Sequence, residues 1–271
     1  MVDHEISSSA VAVVQGAAIV PSPSWGFAVF HQQPYSPVLL SATVKQSRSM
    51  PDANAMPLTL VLGNKAYSSW SLRPWLALRQ AGADFAEIVV PLREPDTKAT
   101  LLSHAPSGKA PSLRHGDLVI WDSLAICEYV NELFPAAQLW PAAAGVRAVA
   151  RSVAAEMHSG FPDLRKNLFM DLRSRYDRPD RVAAAQTDID RVLAIWTDCR
   201  ARFGTDGPFL FGDFTIADAM FAPVATRFRT WNVPVDPVSA AYIDAIYALA
   251  PMQAWLAAAQ AEPWVIQFEG M

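Results

Sequence analysis

Three serines lie close together where an apolar run gives way to a helical pattern. Ser68, Ser69 and Ser71 follow the apolar run 58–62 and open a helical spacing of apolar residues over 70–80. Free N–H groups and the dipole at a helix N-terminus favour a negative charge. Serine is also a preferred N-cap, so the cluster alone favours capping over catalysis. The alternative is that one hydroxyl stabilises an anionic reactant.

Two further segments bring polar groups or backbone to the start of an element. Pro111 opens a predicted strand, a position where proline often serves only to mark the edge or start of a strand. A cis bond would instead turn the Ala110 backbone outward, ready to pair with a peptide-like ligand. Asp122 and Ser123 precede an apolar helical pattern. They either cap that helix or supply polar groups where a ligand carboxylate is well placed.

The elements that must position these groups alternate between strand and helix. The sequence predicts strands over 58–62, 85–90, 111–114 and 117–121, and helices over 70–80, 96–104 and 122–134. The first strand, helix and strand form a unit that implies parallel pairing. The two-residue turn His115-Gly116 implies an antiparallel hairpin. The predicted order is therefore β-α-β-α-β-β-α.

Only helical patterns remain after the Pro- and Ala-rich linker 135–145. Helices are predicted over 146–175, 181–203, 215–228, 240–250 and 252–261, with a kink or break at Pro162. This makes five to six helices. The prediction is an α/β domain over 57–137 followed by an all-helical domain over 138–271. Residues 1–56, with sparse charge and scattered prolines, are expected to form a flexible N-terminal extension.

Composition excludes several classes of protein. The 271 residues are 52% hydrophobic and 18% charged, with a net charge of -4, so a general nucleic-acid binder is not expected. Cys127 and Cys199 are too few for a disulfide scaffold or a structural zinc site, and no metal is expected. The segment 10–20 is too short for a membrane helix, and Asp3 and Glu5 precede it where a signal peptide needs positive charge. We expect a cytoplasmic protein.

Four motifs in order resemble the cytosolic glutathione transferase family, whose N-terminal domain is thioredoxin-like. The first motif is Ser68-Ser69-Trp70-Ser71-Leu72-Arg73, which resembles the Ser-Ser-Cys-Ser-x-Arg start of the zeta class. The chain resembles a serine-type member of the family. Lys109-Ala110-Pro111 resembles the family's x-Val-Pro turn with its cis-proline, and Asp122-Ser123 resembles its acid-Ser pair. Residues 211–218 resemble its Gly-Asp-x-x-Thr-x-Ala-Asp motif, in which Thr215 and Asp218 also form a capping box. The resemblance covers about residues 57–271.

The resemblance implies a role for each matching residue. Ser68 would donate its hydroxyl to the sulfur of glutathione, the co-substrate, with Ser69 as the alternative. The Ala110 backbone, before Pro111, would pair with the cysteinyl unit, and Lys109 would meet the glycine carboxylate. Asp122 and Ser123 would hold the γ-glutamyl end. The family also implies a hydrophobic electrophile as second substrate and a homodimer, without nucleic-acid or membrane partners.

Trp70 departs from the zeta pattern, because it stands where that class has cysteine. The turn therefore offers no thiol for an enzyme–glutathione disulfide, which argues against a zeta-type isomerase. Trp70 and His158 are candidates for the second-substrate pocket. A basic stretch is interpreted as a solvated face, with a carboxylate-bearing second substrate as the alternative; its members are Arg165, Lys166, Arg173, Arg175, Arg178 and Arg181.

The leading hypothesis is a glutathione transferase of the thiol-conjugating type, acting in detoxification. One alternative is a glutathione-dependent isomerase, similar to maleylacetoacetate isomerase, or a peroxidase using the same site. The other is a binding module that resembles the family but has no turnover. Ser68, Pro111 and the Asp122-Ser123 pair favour an enzyme, because a binding module has no need of the complete set.

Overall fold

A computed structural model of the chain describes residues 56–268. The predicted extension over residues 1–56 lies outside this range, except for Met56. Four strands and three helices make the first part, in the order β1 (Leu58–Gly63), α1 (Ser69–Gln80), β2 (Phe85–Val90), α2 (Thr97–His104), β3 (Ser112–His115), β4 (Leu118–Trp121) and α3 (Ser123–Leu133). The predicted β-α-β-α-β-β-α order is confirmed.

The four strands form one mixed sheet in the order β2-β1-β3-β4. β1 runs parallel to β2, with Leu58 opposite Phe85, and β3 is antiparallel to both β1 and β4. The hairpin turn differs from the prediction by one residue. His115 pairs with Leu118, so Gly116 and Asp117 form the turn, and Gly116 supplies its positive φ of 58°.

Helices alone follow the sheet. A turn of 3₁₀ helix at Pro135–Ala137 leads to α4 (Ala144–Ser159), α5 (Pro162–Asn167), α6 (Pro179–Ala184), α7 (Gln186–Phe203), α8 (Ile216–Thr230), α9 (Pro237–Ala248) and α10 (Ala250–Ala261). The thioredoxin-like α/β part followed by an all-helical part is thus confirmed. We propose the boundary between the domains near residue 137.

The predicted break at Pro162 is confirmed, but the helix predicted to continue to residue 175 is wrong, since α5 ends at Asn167. α4 ends at Ser159, Phe161 takes a left-handed φ of 64°, and Pro162 opens the short helix α5. Residues 168–178 leave the helical path because their backbone bonds to other segments. The Leu172 N–H donates to the Ala66 carbonyl and the Tyr176 N–H to the Thr230 carbonyl, at 3.1 and 2.8 Å. The predicted helix 181–203 likewise divides at Ala185, so the described residues hold seven α-helices after α3 rather than five or six.

The helix α8 is the centre of the molecule. Nearly all of its side chains are buried, and it packs against both α1 and α4. The predicted capping box opens it: the Asp218 carboxylate accepts from the Thr215 N–H and hydroxyl at 2.8 and 2.9 Å. The same carboxylate accepts from the Leu210 N–H at 3.1 Å. Asp218 therefore joins the preceding loop to the buried helix.

Contacts between the two parts are apolar and aromatic as well as polar. Trp75 of α1 meets Trp255 of α10 edge to face, with ring centroids 5.1 Å apart. The Trp255 indole N–H donates to the Lys65 carbonyl at 2.9 Å, next to the serine cluster. Trp231 and Trp255 are buried packing residues. Within residues 56–268, no helix has both the length and the apolar character needed to cross a membrane.

Asp218→Ala should destabilise the fold, because three buried donors lose their acceptor. We expect the free energy of unfolding to fall by about 2–4 kcal/mol, measured by urea denaturation. Asp213→Ala is the matched control, since Asp213 belongs to the same motif but is exposed, and it should change stability by less than about 0.5 kcal/mol. Equal losses in the two variants would contradict the role assigned to Asp218.

Candidate functional site

Ser68 occupies the N-cap position of α1, where its side chain makes no capping hydrogen bond, and it is 6% exposed. Its Oγ lies 2.8 Å from the Ser71 Oγ, and that oxygen accepts from the Gly63 N–H at 3.0 Å. Either hydroxyl can be the donor in the Ser68–Ser71 pair, and in one arrangement Ser71 accepts from the Gly63 N–H and donates its own proton to Ser68. The Ser68 proton is then available to a group in the adjoining cavity. The end of β1 positions these hydroxyls, because Gly63 is its last residue and its N–H donates to Ser71.

Ser69 has a different partner. Its Oγ accepts a hydrogen bond of 3.0 Å from Nη2 of Arg227, which lies on α8. Arg227 is only 4% exposed, and its burial lowers its pKa to about 9, with a smaller contribution from the charge of Arg165. The guanidinium therefore remains protonated at neutral pH. The two adjacent serines are held by separate hydrogen-bond networks.

Two cavities meet at this helix end. The serine cavity has a volume of about 350 Å³, and its lining includes Ser68, Ser69, Trp70, Ala110, Arg165, Arg227, Phe169 and Phe268. The proline cavity has a volume of about 620 Å³ and is lined by Trp70, Ser107, Lys109, Ala110, Pro111, Trp121, Asp122 and Ser123. Trp70 and Ala110 line both, so the cavities adjoin. All the residues predicted for the site, except His158, line one or both of them.

The proline cavity offers groups suited to a peptide with free carboxylates. The Ala110–Pro111 peptide bond is cis, as predicted. Asp122 caps α3 by accepting from the Leu124 N–H at 2.9 Å. Ser123 is 1% exposed, and its Oγ has no hydrogen-bond partner among the described residues. A buried hydroxyl of this kind normally has a partner, so a ligand oxygen at the α3 N-terminus would satisfy it.

Two guanidinium groups lie over the ring of Trp70. Arg73 and Arg165 lie 4.3 and 4.7 Å from the centre of its ring system, within the range of cation–π attraction. His158 meets the same ring edge to face at 5.3 Å. Its Nε2 lies 3.2 Å from Oδ2 of Asp122, and burial lowers its pKa in spite of that carboxylate. His158 thus supports Trp70 and Asp122 and lies outside the lining of these two cavities.

The solvated-face interpretation of the basic stretch is wrong for two of its members. Arg165 donates to the Gly160 and His158 carbonyls at 2.9 and 3.3 Å, and also to the Met157 carbonyl. Arg173 donates to the Ala259 and Trp264 carbonyls, both at 2.8 Å, and to that of Glu262. These arginines close the ends of α4 and α10.

Arg227 was missed by the sequence analysis, although the sequence carries a signal for it. It is the lone cation of the mostly apolar run 216–228. Arginine is almost never fully buried unless it is paired, so a cation in a buried helix points to a specific partner. Helical periodicity identifies the helix but not the residue on α1 that its arginine meets.

The segment after α10 closes one side of the serine cavity. Phe268 stacks on Phe169 with ring centroids 3.7 Å apart, and Ile266 and Phe268 both line the cavity. The Glu262 carboxylate accepts from the Lys65 and Ala66 N–H groups at 2.7 and 3.2 Å. The C-terminal segment therefore fixes the loop that leads into Ser68 and Ser69.

The two cysteines take no part in this site. Cys127 lies in α3 and Cys199 in α7, and both are buried. Burial raises the pKa of both thiols, that of Cys199 to about 12. Neither is a thiolate at neutral pH, and only the thiolate is a good nucleophile.

Comparison with known protein families decides the assignment of the fold. Residues 67–133 match the glutathione S-transferase N-terminal domain, and residues 179–262 match the glutathione S-transferase C-terminal domain. Together the two matches cover more than half of the chain. The chain belongs to the glutathione S-transferase family. This family uses glutathione as its co-substrate.

Two curated proteins similar to this chain are a glutathione S-transferase and a probable isomerase. Glutathione S-transferase Z2 of Arabidopsis thaliana is 26% identical over 183 residues, covering 64% of this chain and 80% of the relative. A probable maleylacetoacetate isomerase of Caenorhabditis elegans is 28% identical over 171 residues, covering 62% and 78%.

Solved glutathione transferases have the same fold. A glutathione transferase homologue from Burkholderia gl BGR1, solved with bound glutathione, has a TM-score of 0.58 and 27% identity. It covers 76% of this chain and 100% of its own. A maleyl pyruvate isomerase, described as a bacterial glutathione S-transferase of the zeta class, has a TM-score of 0.59 and 26% identity, covering 76% and 98%.

The residues of the proline cavity fit glutathione. The cavity is within the usual size range of ligand pockets, about 300–1,000 Å³. Lys109 brings positive charge to one part of its lining, and the unpartnered Ser123 hydroxyl lies at the α3 N-terminus. These groups suit the two carboxylates of the tripeptide.

Glu262→Ala should loosen the loop before the two serines. Two backbone N–H groups lose a charged acceptor, and each such bond contributes about 1.5–3 kcal/mol. We expect amide hydrogen exchange in the segment 63–69 to become about ten- to a hundredfold faster, followed by mass spectrometry. The control is Glu132→Ala on the exposed face of α3, which should leave this segment unchanged. Unchanged exchange in Glu262→Ala would refute the tethering role.

Proposed function

We propose that this protein is a glutathione transferase that stabilises the glutathione thiolate through a serine hydroxyl for attack on an electrophilic small molecule. The observation that carries the proposal is the junction of the two cavities. Ala110 and Trp70 line both cavities, so glutathione that pairs with the Ala110 backbone in the proline cavity lies beside the serine cavity. Its sulfur would then meet the hydroxyls at the start of α1.

Each group in the proline cavity has a role in this proposal. The Ala110 backbone pairs with the cysteinyl unit beside the cis-proline Pro111. Asp122 and Ser123 hold the γ-glutamyl end at the N-terminus of α3, and Lys109 meets the glycine carboxylate. Ser68 donates to the sulfur as the first candidate, with Ser69 next to it. Trp70, which lines both cavities, contributes a wall of the second-substrate pocket, with His158 against its ring.

The free energies support a mechanism without a general base. A free thiol titrates near 8.5, and lowering its pKa to roughly 6.5 takes about 2.7 kcal/mol of preference for the thiolate. A hydrogen bond to a charged group contributes roughly 1.5–3 kcal/mol, and a helix N-terminus roughly 0.3–1 kcal/mol. A serine hydroxyl at the start of α1 therefore meets the requirement. The thiol proton leaves to solvent, and the serine keeps its own.

The reaction is a nucleophilic attack in the serine cavity. The thiolate forms a bond from sulfur to the electrophilic atom of the second substrate, and the bonding pair of that substrate departs with its leaving group or moves within it. Phe169, Ile266 and Phe268 provide apolar walls for such a molecule. Since burial keeps Cys127 and Cys199 protonated, the reactive sulfur is that of the ligand.

A glutathione-dependent isomerase is the second candidate, and the arginines favour it. Arg165 and Arg227 line the serine cavity, and Nη1 of each has no hydrogen-bond partner among the described residues. Guanidinium groups suit a substrate with a carboxylate. Two relatives are named for isomerisation of maleyl compounds. Trp70 in place of the zeta-class cysteine argues against this candidate.

The proposal also covers the location, the oligomeric state and the biological role of the protein. We propose a cytoplasmic homodimer that acts in detoxification. Leu118 and Trp121 flank the edge strand β4 on opposite faces of the sheet and are 41% and 47% exposed, which suits an edge that a second copy covers.

Ser68→Ala should raise the pKa of the bound glutathione thiol by about one to two, because the thiolate loses a hydrogen bond. The measurement is the thiolate absorbance of glutathione bound to the protein, titrated against pH. Ser103→Ala, on an exposed part of α2, is the control and should titrate like the wild type. An unmoved curve in Ser68→Ala would remove this residue from the mechanism.

Binding and turnover separate the competing functions. The transferase predicts retention on glutathione resin and conjugation of a generic aryl halide, whereas the isomerase predicts turnover of a maleyl substrate without net consumption of glutathione. Retention without any turnover would support a non-catalytic binding module. Screening a panel of electrophiles would then identify the class of second substrate.

A further inference from the structure

We infer that Arg227 is a positioning residue that acts through Ser69, making the Ser69 hydroxyl a second donor to the glutathione sulfur beside Ser68. The inference rests on the proposed transferase function and adds to it a residue from the helical part of the chain. It also gives distinct roles to two adjacent serines that the sequence alone cannot tell apart.

The direction of the hydrogen bond follows from the chemistry of the two groups. A guanidinium can only donate, so Arg227 Nη2 donates to the Ser69 Oγ across their 3.0 Å distance. A serine hydroxyl carries one proton, and this interaction leaves that proton unused. Ser69 and Arg227 both line the serine cavity. The Ser69 proton is therefore available to an anionic atom in that cavity.

The cation makes Ser69 a stronger donor than an isolated serine. Hydrogen bonds that involve an ionised group are shorter and roughly twice as strong as neutral ones, and bonds in a chain polarise one another. Ser68 has only the neutral hydroxyl of Ser71 as its partner, 2.8 Å away. Two donors, one polarised by a cation and one by a hydroxyl, thus converge on the same cavity.

The surroundings of Arg227 favour an anion at this place. Arg227 is buried on α8, and its Nε and Nη1 have no hydrogen-bond partner among the described residues. Burial, and after it the charge of Arg165, lowers the pKa of Arg227; burial, and after it the charges of Arg165 and Arg227, lowers the pKa of Arg73. Three guanidinium groups therefore share one region of the protein. A thiolate beside Ser69 would lower the electrostatic cost of placing them together.

A direct effect of the charge on the sulfur is the competing explanation, and a double-mutant cycle separates the two. The measurement is the thiolate absorbance of saturating glutathione bound to wild type, Arg227→Met, Ser69→Ala and the double variant. If Arg227 acts through Ser69, each single change lowers the thiolate fraction at neutral pH by about tenfold, and the double variant shows no further loss. Arg227→Lys, which keeps a charged donor, should recover part of the signal.

The matched control is Arg229→Met. Arg229 lies on the same helix but points to Asp244 at the surface, so its removal should leave the titration unchanged. An equal loss from Arg227→Met in the wild-type and Ser69→Ala backgrounds would overturn the inference in favour of a direct charge effect. An unmoved titration in Ser69→Ala would also overturn it, even if Arg227→Met failed to fold.

Failure of the proposed function gives a different pattern. If glutathione bound to the wild type shows no thiolate near neutral pH, the transferase mechanism itself fails, and the inference fails with it. If Ser68→Ala lowers the thiolate fraction while Ser69→Ala and Arg227→Met do not, the transferase proposal stands and only the role of Arg227 is refuted.

Discussion

The packing of α8 against α1 is the contact on which the site depends. The N-terminus of α1 must present hydroxyls to a ligand while the rest of that helix is buried among apolar side chains. α8 supplies both conditions, since its apolar residues cover α1 and its Arg227 reaches Ser69. It also accepts from Arg73 through the Met220 carbonyl, at 3.3 Å from Nε. A shift of α8 would change packing and hydrogen bonding at the serines together.

Positive charge buried near these serines is the second constraint. Arg73 is completely buried, and its Nη1 and Nη2 have no hydrogen-bond partner among the described residues. Trp70 offsets part of the cost of burying this charge, because the guanidinium groups of Arg73 and Arg165 lie over its ring. This explains why a tryptophan can stand where the zeta class has cysteine. The ring lies against cations, and in the proposed mechanism the reactive sulfur is that of glutathione.

Much of the fold could be predicted from local patterns. The strand Phe85–Val90 was predicted with the bounds that the structure shows, and the capping box of Thr215 and Asp218 is present as expected. Errors occurred where long-range hydrogen bonds override local preference. Residues 168–175 have a helical pattern, but the Leu172 N–H bonds to the Ala66 carbonyl and draws this segment to the loop before the serines.

The sequence by itself determined the family, the order of elements and most residues of the proline cavity, because each depends on short motifs and on periodicity. Only the tertiary structure decided how the serines differ. Ser68 bonds to Ser71 within its own helix, whereas Ser69 accepts from Arg227, 158 residues further along the chain. No local pattern encodes that distance, because it is set by how two helices pack. The hydroxyl groups of the site therefore lie at the start of α1, whereas the charge that acts on Ser69 comes from Arg227 on α8.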